Sequence, residues 1–114
     1  ALGRVGGILE AKKIAGMAEA SYAQIAPHLY CGPIEGAANI QLSTCSPNFL
    51  ILEGIQRWDG FHAEILKKPI RWESGYVIPP TEPGLGVELD EEVALANTYK
   101  ETALHLEMAD KPIR

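Results

Sequence analysis

Two residues stand where an apolar run gives way to a loop, and both carry side chains able to hold or move a proton. His28 follows the short run at residues 22–26 and Pro27, and Glu53 follows the four apolar residues 49–52. An imidazole has a near-neutral intrinsic pKa and can donate or accept a proton. A carboxylate at the end of an apolar strand can bind a hydroxyl or polarise a neighbouring group. In parallel α/β folds, catalytic groups gather at the C-terminal ends of strands, so a barrel would bring His28 and Glu53 over the same mouth. The alternative for His28 is a structural imidazole that caps the following turn. For Glu53 it is a surface carboxylate or the partner of an arginine.

The remaining reactive side chains carry less. Cys31 lies three residues beyond His28, but a Cys-His nucleophile pair needs an oxyanion element and a third residue, and neither is visible. A packed loop thiol is the simpler reading. Neither Cys31 nor Cys45 sits in a CxxC pair or beside metal-spaced histidines, which reads as two buried thiols in a cytoplasmic protein. His62 and His105 lie in polar segments and read as solvated. Asp90-Glu91-Glu92 suits the start of a helix better than a metal site. Gly3, Gly6 and Gly7 lack the spacing of a dinucleotide fingerprint. No residue of the chain is assigned as a metal ligand.

The elements that must position these groups follow from periodicity and punctuation. Residues 1–5 read as the end of a strand, broken by Gly6-Gly7. Residues 8–20 form an amphipathic helix, with Ala11, Ile14, Ala15 and Ala18 on one face. Residues 22–26 read as a buried strand ended by Pro27. A loop leads to Pro33, suited to the first turn of a helix that runs to Cys45. Residues 49–52 form another buried strand. The order is strand, helix, strand, helix, strand, the βαβαβ pattern of a parallel sheet. Beyond Gly54, residues 55–68 suggest a short irregular helix and residues 70–78 an extended strand-like run. Residues 79–86 make a rigid Pro/Gly loop. After an extended stretch at 87–89, Asp90 caps a last helix reaching about Glu107.

A net charge of −5 without a Lys/Arg run argues against a nucleic-acid partner on electrostatic grounds. Apolar runs such as 49–52 are far too short to span a bilayer, so no membrane partner is expected. The opening residues lack a polar lead-in and read as the inside of a fold. Three parallel strands and two helices do not cover both faces of a sheet. The pattern therefore points to a missing N-terminal part.

At these positions the chain resembles the enolase superfamily, in its mandelate racemase/muconate lactonizing enzyme-like branch. Arg4-Val5-Gly6-Gly7-Ile8 with Glu10, then residues 15–20, is similar to the sixth barrel strand and following helix. Ile25-Ala26-Pro27-His28 with Gly32-Pro33-Ile34 resembles the seventh strand and loop of galactonate and gluconate dehydratases. Residues 49–53 match the eighth strand, ending in Glu53, and residues 83–90 resemble the segment returning to the capping domain.

The resemblance implies an α/β fold, the last three strands and helices of a modified TIM-like (β/α) barrel. Residues 1–68 would be barrel, and 69–114 would pack on an α+β capping domain lying outside this sequence. It implies a Mg²⁺-dependent hydro-lyase that dehydrates an aldonate to a 2-keto-3-deoxy acid through an enediolate, with a 2-hydroxy-acid racemase or epimerase as the alternative. A non-catalytic interaction module is a third reading. By resemblance, His28 is the general acid/base, Glu53 acts where charge builds at the substrate carboxylate, and Pro27 joins both in binding substrate. The Mg²⁺ ligands would lie on earlier strands, and the isolated piece would be inactive. The resemblance also implies a cytoplasmic homo-oligomer acting on a small sugar acid. One position departs from the pattern. Where the family places an Asp that orients the seventh-strand His, this sequence has Ala1.

Overall fold

A computed structural model describes residues 1–54 and 58–98. The first half is a layer of three helices packed beside two extended segments. α1 spans Leu2–Val5, α2 spans Ile8–Ala20 and α3 spans Pro33–Thr44. The two longer helices match the sequence expectation to within a residue. Alanines drive α2, because alanine loses no side-chain entropy in a helix, and its buried Ala11 and Ala15 let α3 approach closely. Pro33 opens α3 with a ring that already holds the helical φ. Leu2, Ala11, Ala38 and Leu42 form the small core where the three helices meet, and Leu85 covers it.

Polar side chains close the helix ends. Lys12 Nζ donates to the Cys45 carbonyl at 2.7 Å, placing a cation on the negative end of α3. Ser46 Oγ and Thr44 Oγ1 donate to the carbonyls of Leu42 and Ile40. Asn48 Nδ2 bridges the Ala15 and Ala23 carbonyls at 3.0 and 2.9 Å, fastening the middle of α2 to the segment that leads to His28.

Three strand expectations are corrected. Residues 1–5 are not extended: Ala1 O accepts from Arg4 and Val5 N–H, and the single turn of α1 closes on Gly6 at φ 104°. A left-handed residue there ends the turn, and glycine adopts it without a Cβ clash. The segment at 22–26 begins later than expected, because Tyr22 sits in a left-handed turn at φ 57°. Its pairing with residues 49–52 reduces to one parallel bridge, Ile25 to Phe49. Pro27 has no N–H to continue the ladder. Residues 70–78 are a hairpin rather than one extended run. β1 (Arg71–Glu73) and β2 (Tyr76–Ile78) pair antiparallel around Ser74-Gly75, both at positive φ, which suits a two-residue hairpin turn.

The chain beyond the hairpin packs back on the first half. Gln41 Nε2 donates to the carbonyls of Pro80 and Leu85. Within residues 55–68 the described helix is one turn, α4 (Phe61–Glu64); residues 55–57 lie outside the described residues. Leu89 bridges antiparallel to Leu66, bearing out the extended stretch at 87–89. Asp90 caps α5 (Glu91–Ala96) by accepting from Val93 N–H at 3.2 Å. That bond supports its reading as a helix start. α5 stops at Ala96, well short of Glu107. The end of the expected helix and His105 lie outside the described residues.

Candidate functional site

The parallel bridge is short but it fixes the site. Ile25 N–H donates to Asn48 O at 2.9 Å, Leu50 N–H to Ile25 O at 2.9 Å, and Glu53 N–H to Pro27 O at 3.3 Å. Those three bonds hold the two segments in one direction and end them together. His28 and Glu53 therefore emerge side by side, with Nε2 and Oε2 3.7 Å apart and both side chains more than half exposed. A solvent-facing imidazole with a carboxylate at this distance can exchange protons with a bound small molecule. The structure brings Pro27 to the same end, through its carbonyl bond to Glu53.

His28 borders a cleft of about 270 Å³. Ala1, Leu2, Ile25, Pro27, His28 and Asn39 border it. Ala1 thus shares a cleft with His28, yet its methyl group cannot accept a hydrogen bond from an imidazole. Asn39 is fully buried, and both its amide atoms lack a partner among the described residues. A larger groove of about 420 Å³ runs along Phe49, Leu50, Leu52, Trp72 and Tyr76, on a different face from His28.

The surroundings of Cys31 favour its thiol over its thiolate. Burial first, then a hydrogen bond from its thiol to Glu35 and the charge of that carboxylate, push its pKa up from 9.0 to about 12. The thiolate is the reactive form, and at neutral pH this group is a thiol. Both cysteines are free. The expectation of two buried thiols is corrected, since Cys31 is half-buried and Cys45 exposed. Cys45 lies at the last turn of α3, which faces solvent there. His62 is exposed as expected, against Phe61 at 5.7 Å between ring centroids.

Sequence reasoning missed the groups that hold the His28 loop. Glu35 Oε1 accepts from Gly3 N–H at 2.8 Å, and Trp58 Nε1–H donates to Cys31 O at 3.2 Å. The signal for Glu35 was present: it is the third helical residue after Gly32, where a carboxylate satisfies free N–H groups. Among the described residues, no three His, Cys, Asp or Glu side chains gather into a metal-ligand set. The His28–Glu53 pair alone does not make a divalent-cation site, which takes several oxygen donors.

Comparison with known proteins fits this arrangement. Residues 1–93 match the enolase C-terminal domain-like family. A D-galactonate dehydratase of Ralstonia nicotianae is 42% identical over 102 residues, 82% of this chain and 26% of the relative. A solved structure from Labrenzia alexandrii DFL-11, a candidate mandelate racemase/muconate lactonizing enzyme, is 68% identical. It superposes with a TM-score of 0.84 over 91% of this chain and 27% of its own. The mandelate racemase/muconate lactonizing enzyme of Jannaschia sp. CCS1 is 48% identical, with a TM-score of 0.81 over 92% of this chain and 27% of its own. The chain thus spans about a quarter of the length of these relatives. With the helical layer, the parallel bridge and the paired strand ends accounted for, the chain belongs to the enolase superfamily, as a C-terminal portion of its mandelate racemase/muconate lactonizing enzyme-like fold.

Proposed function

We propose that the full-length protein dehydrates a sugar acid of the aldonate class to a 2-keto-3-deoxy acid, with His28 as general acid. The single observation carrying this reading is the 3.7 Å approach of His28 Nε2 to Glu53 Oε2 at the shared end of two parallel segments. The identity to a D-galactonate dehydratase supports it. In this reading a base outside the present chain takes the proton from C2 of the substrate. His28 gives its proton to the 3-hydroxyl, the C3–O bond breaks, and water leaves. The resulting enol takes up a proton at C3 and becomes the 2-keto acid. Glu53 stands beside the substrate carboxylate, where negative charge gathers in the enediolate, a role that requires its carboxyl group to donate a hydrogen bond or to sit beside a donor.

Mg²⁺ is proposed as the cofactor of the whole enzyme. The described residues do not form its donor set, so its ligands are assigned to segments outside this chain and no step here passes through it. Residues 1–68 are proposed to be barrel and 69–114 to contact a capping domain. The whole protein is proposed to be a cytoplasmic homo-oligomer.

Two other readings have specific support. Relatives named mandelate racemase/muconate lactonizing enzymes favour proton exchange at C2 without loss of water. Ala1 in the His28 cleft favours a module that has lost catalysis, since the position offers no group to orient the ring. The full-length protein with Mg²⁺ and a panel of aldonates separates them. Dehydration gives a keto acid, and His28→Asn lowers turnover by about two orders of magnitude or more. In deuterated solvent, racemisation gives deuterium at C2 with no keto acid. Unchanged turnover in His28→Asn overturns the role given to His28.

A further inference from the structure

Glu35 occupies the position from which a glutamate commonly reaches back to the N–H of its own helix cap. Here it reaches across to another helix. Gly3 lies in the first turn of α1, where an N–H has no partner within the helix, and Glu35 Oε1 accepts that N–H at 2.8 Å. The approach is close: a Cβ at residue 3 would stand 2.9 Å from both carboxylate oxygens, so glycine is what admits the carboxylate. The Glu35 carboxylate also stands near the Cys31 thiol, and its charge helps keep that thiol protonated. From the other side Trp58 donates to the Cys31 carbonyl, and its ring lies on Gly36, where a Cβ would meet it at 2.5 Å. The loop between His28 and α3 is therefore clamped at Cys31. The two elements that Glu35 joins carry Ala1 and His28, which border one cleft.

We infer that Glu35 is a positioning residue for His28, fixing the loop behind the imidazole against the start of α1 through the Gly3 N–H and the Cys31 thiol. The inference rests on the reading of His28 as the general acid. Glu35 need not touch substrate. Its effect belongs to the placement of the proton donor, and small misplacements of a catalytic group are expensive in rate.

The test uses the full-length protein with its aldonate substrate and Mg²⁺, comparing Glu35→Ala, Glu35→Gln, Cys31→Ala, the double Ala variant and His28→Asn. Glu35→Ala should lower kcat by about 10- to 100-fold. KM should stay within about 3-fold, as expected when only the transition state loses stabilisation. Glu35→Gln should keep kcat within about 3-fold, because a carboxamide oxygen still accepts the Gly3 N–H. Cys31→Ala should lower kcat as well, and the double variant should fall no further than Glu35→Ala alone, since both residues serve one clamp. An unchanged kcat per folded molecule in Glu35→Ala, with only a lower Tm, overturns the inference. Fully additive effects of the two Ala substitutions do the same. Should Glu35→Ala fail to fold, Cys31→Ala decides, and full kcat there overturns the inference. Full turnover in His28→Asn removes both the function reading and this inference. An inactive His28→Asn beside a fully active Glu35→Ala removes the inference alone.

Discussion

His28 and Glu53 meet because each is the first residue past an extended segment, and three backbone bonds make those segments end together. That much follows from strand-end position, and the sequence carries it. The state of Cys31 does not, because its two perturbing causes, burial and Glu35, depend on how α3 and the loop fold against each other. A consequence is measurable. At pH 8 Cys31 should react with iodoacetamide at a rate about two to three orders of magnitude below a free cysteine, because a pKa near 12 leaves little thiolate. Peptide mapping by mass spectrometry after timed alkylation reads this, and Glu35→Gln should speed the reaction by removing the neighbouring charge. The same shift links to stability. The folded pKa lies above the ordinary thiol value of 9.0, so the folded state keeps a proton that the unfolded state releases. The thiol's contribution is fully present below about pH 9 and is lost as pH rises toward about 12.

Helices were legible where spacing and punctuation agreed. α2 and α3 follow from alanine content, an apolar face, Pro33 and the flanking glycines. The short elements were not. α1 is a single turn held by four backbone bonds and a left-handed Gly6, and four residues carry no periodicity to detect. The break at Ser74-Gly75 looked like part of a strand because the residues on either side favour extended backbone. The stitching of elements was likewise hidden, since Glu35 and Gly3 are 32 residues apart. Two substitutions test the element packing. Gly36→Ala places a methyl 2.5 Å from the Trp58 ring. It should cost about 1–3 kcal/mol as overpacking does, read as a lower Tm and a shift in tryptophan emission of the full-length protein. Asn48→Ala removes both bonds by which Asn48 links the middle of α2 to the segment before His28. A loss of about 1–2 kcal/mol is expected, again visible in Tm, and equal melting of variant and parent would contradict the stitching role.

At the scale of the molecule, several apolar groups that lack cover line one groove. Leu50 and Ile51 are about three-fifths exposed and Tyr76 about three-quarters, along the groove of about 420 Å³. A patch of this kind next to a strand edge favours association with other chains. The 114-residue chain by itself should elute as oligomer or aggregate in size exclusion with light scattering, and Leu50→Lys should reduce that tendency. A monodisperse monomer with a cooperative melt would show that this surface needs no cover. The sequence by itself determined the two long helices, the parallel βαβ sense around α3, the family, and the pairing of His28 with Glu53 at one end. Each of these rests on local spacing or on ordered motifs. The tertiary structure alone decided the α1 turn, the Ser74-Gly75 hairpin, the closed-off thiol of Cys31 and the clamp of Glu35 and Trp58 behind His28. Those depend on contacts between residues far apart in the chain, and on left-handed backbone at single positions such as Tyr22, which no periodicity announces.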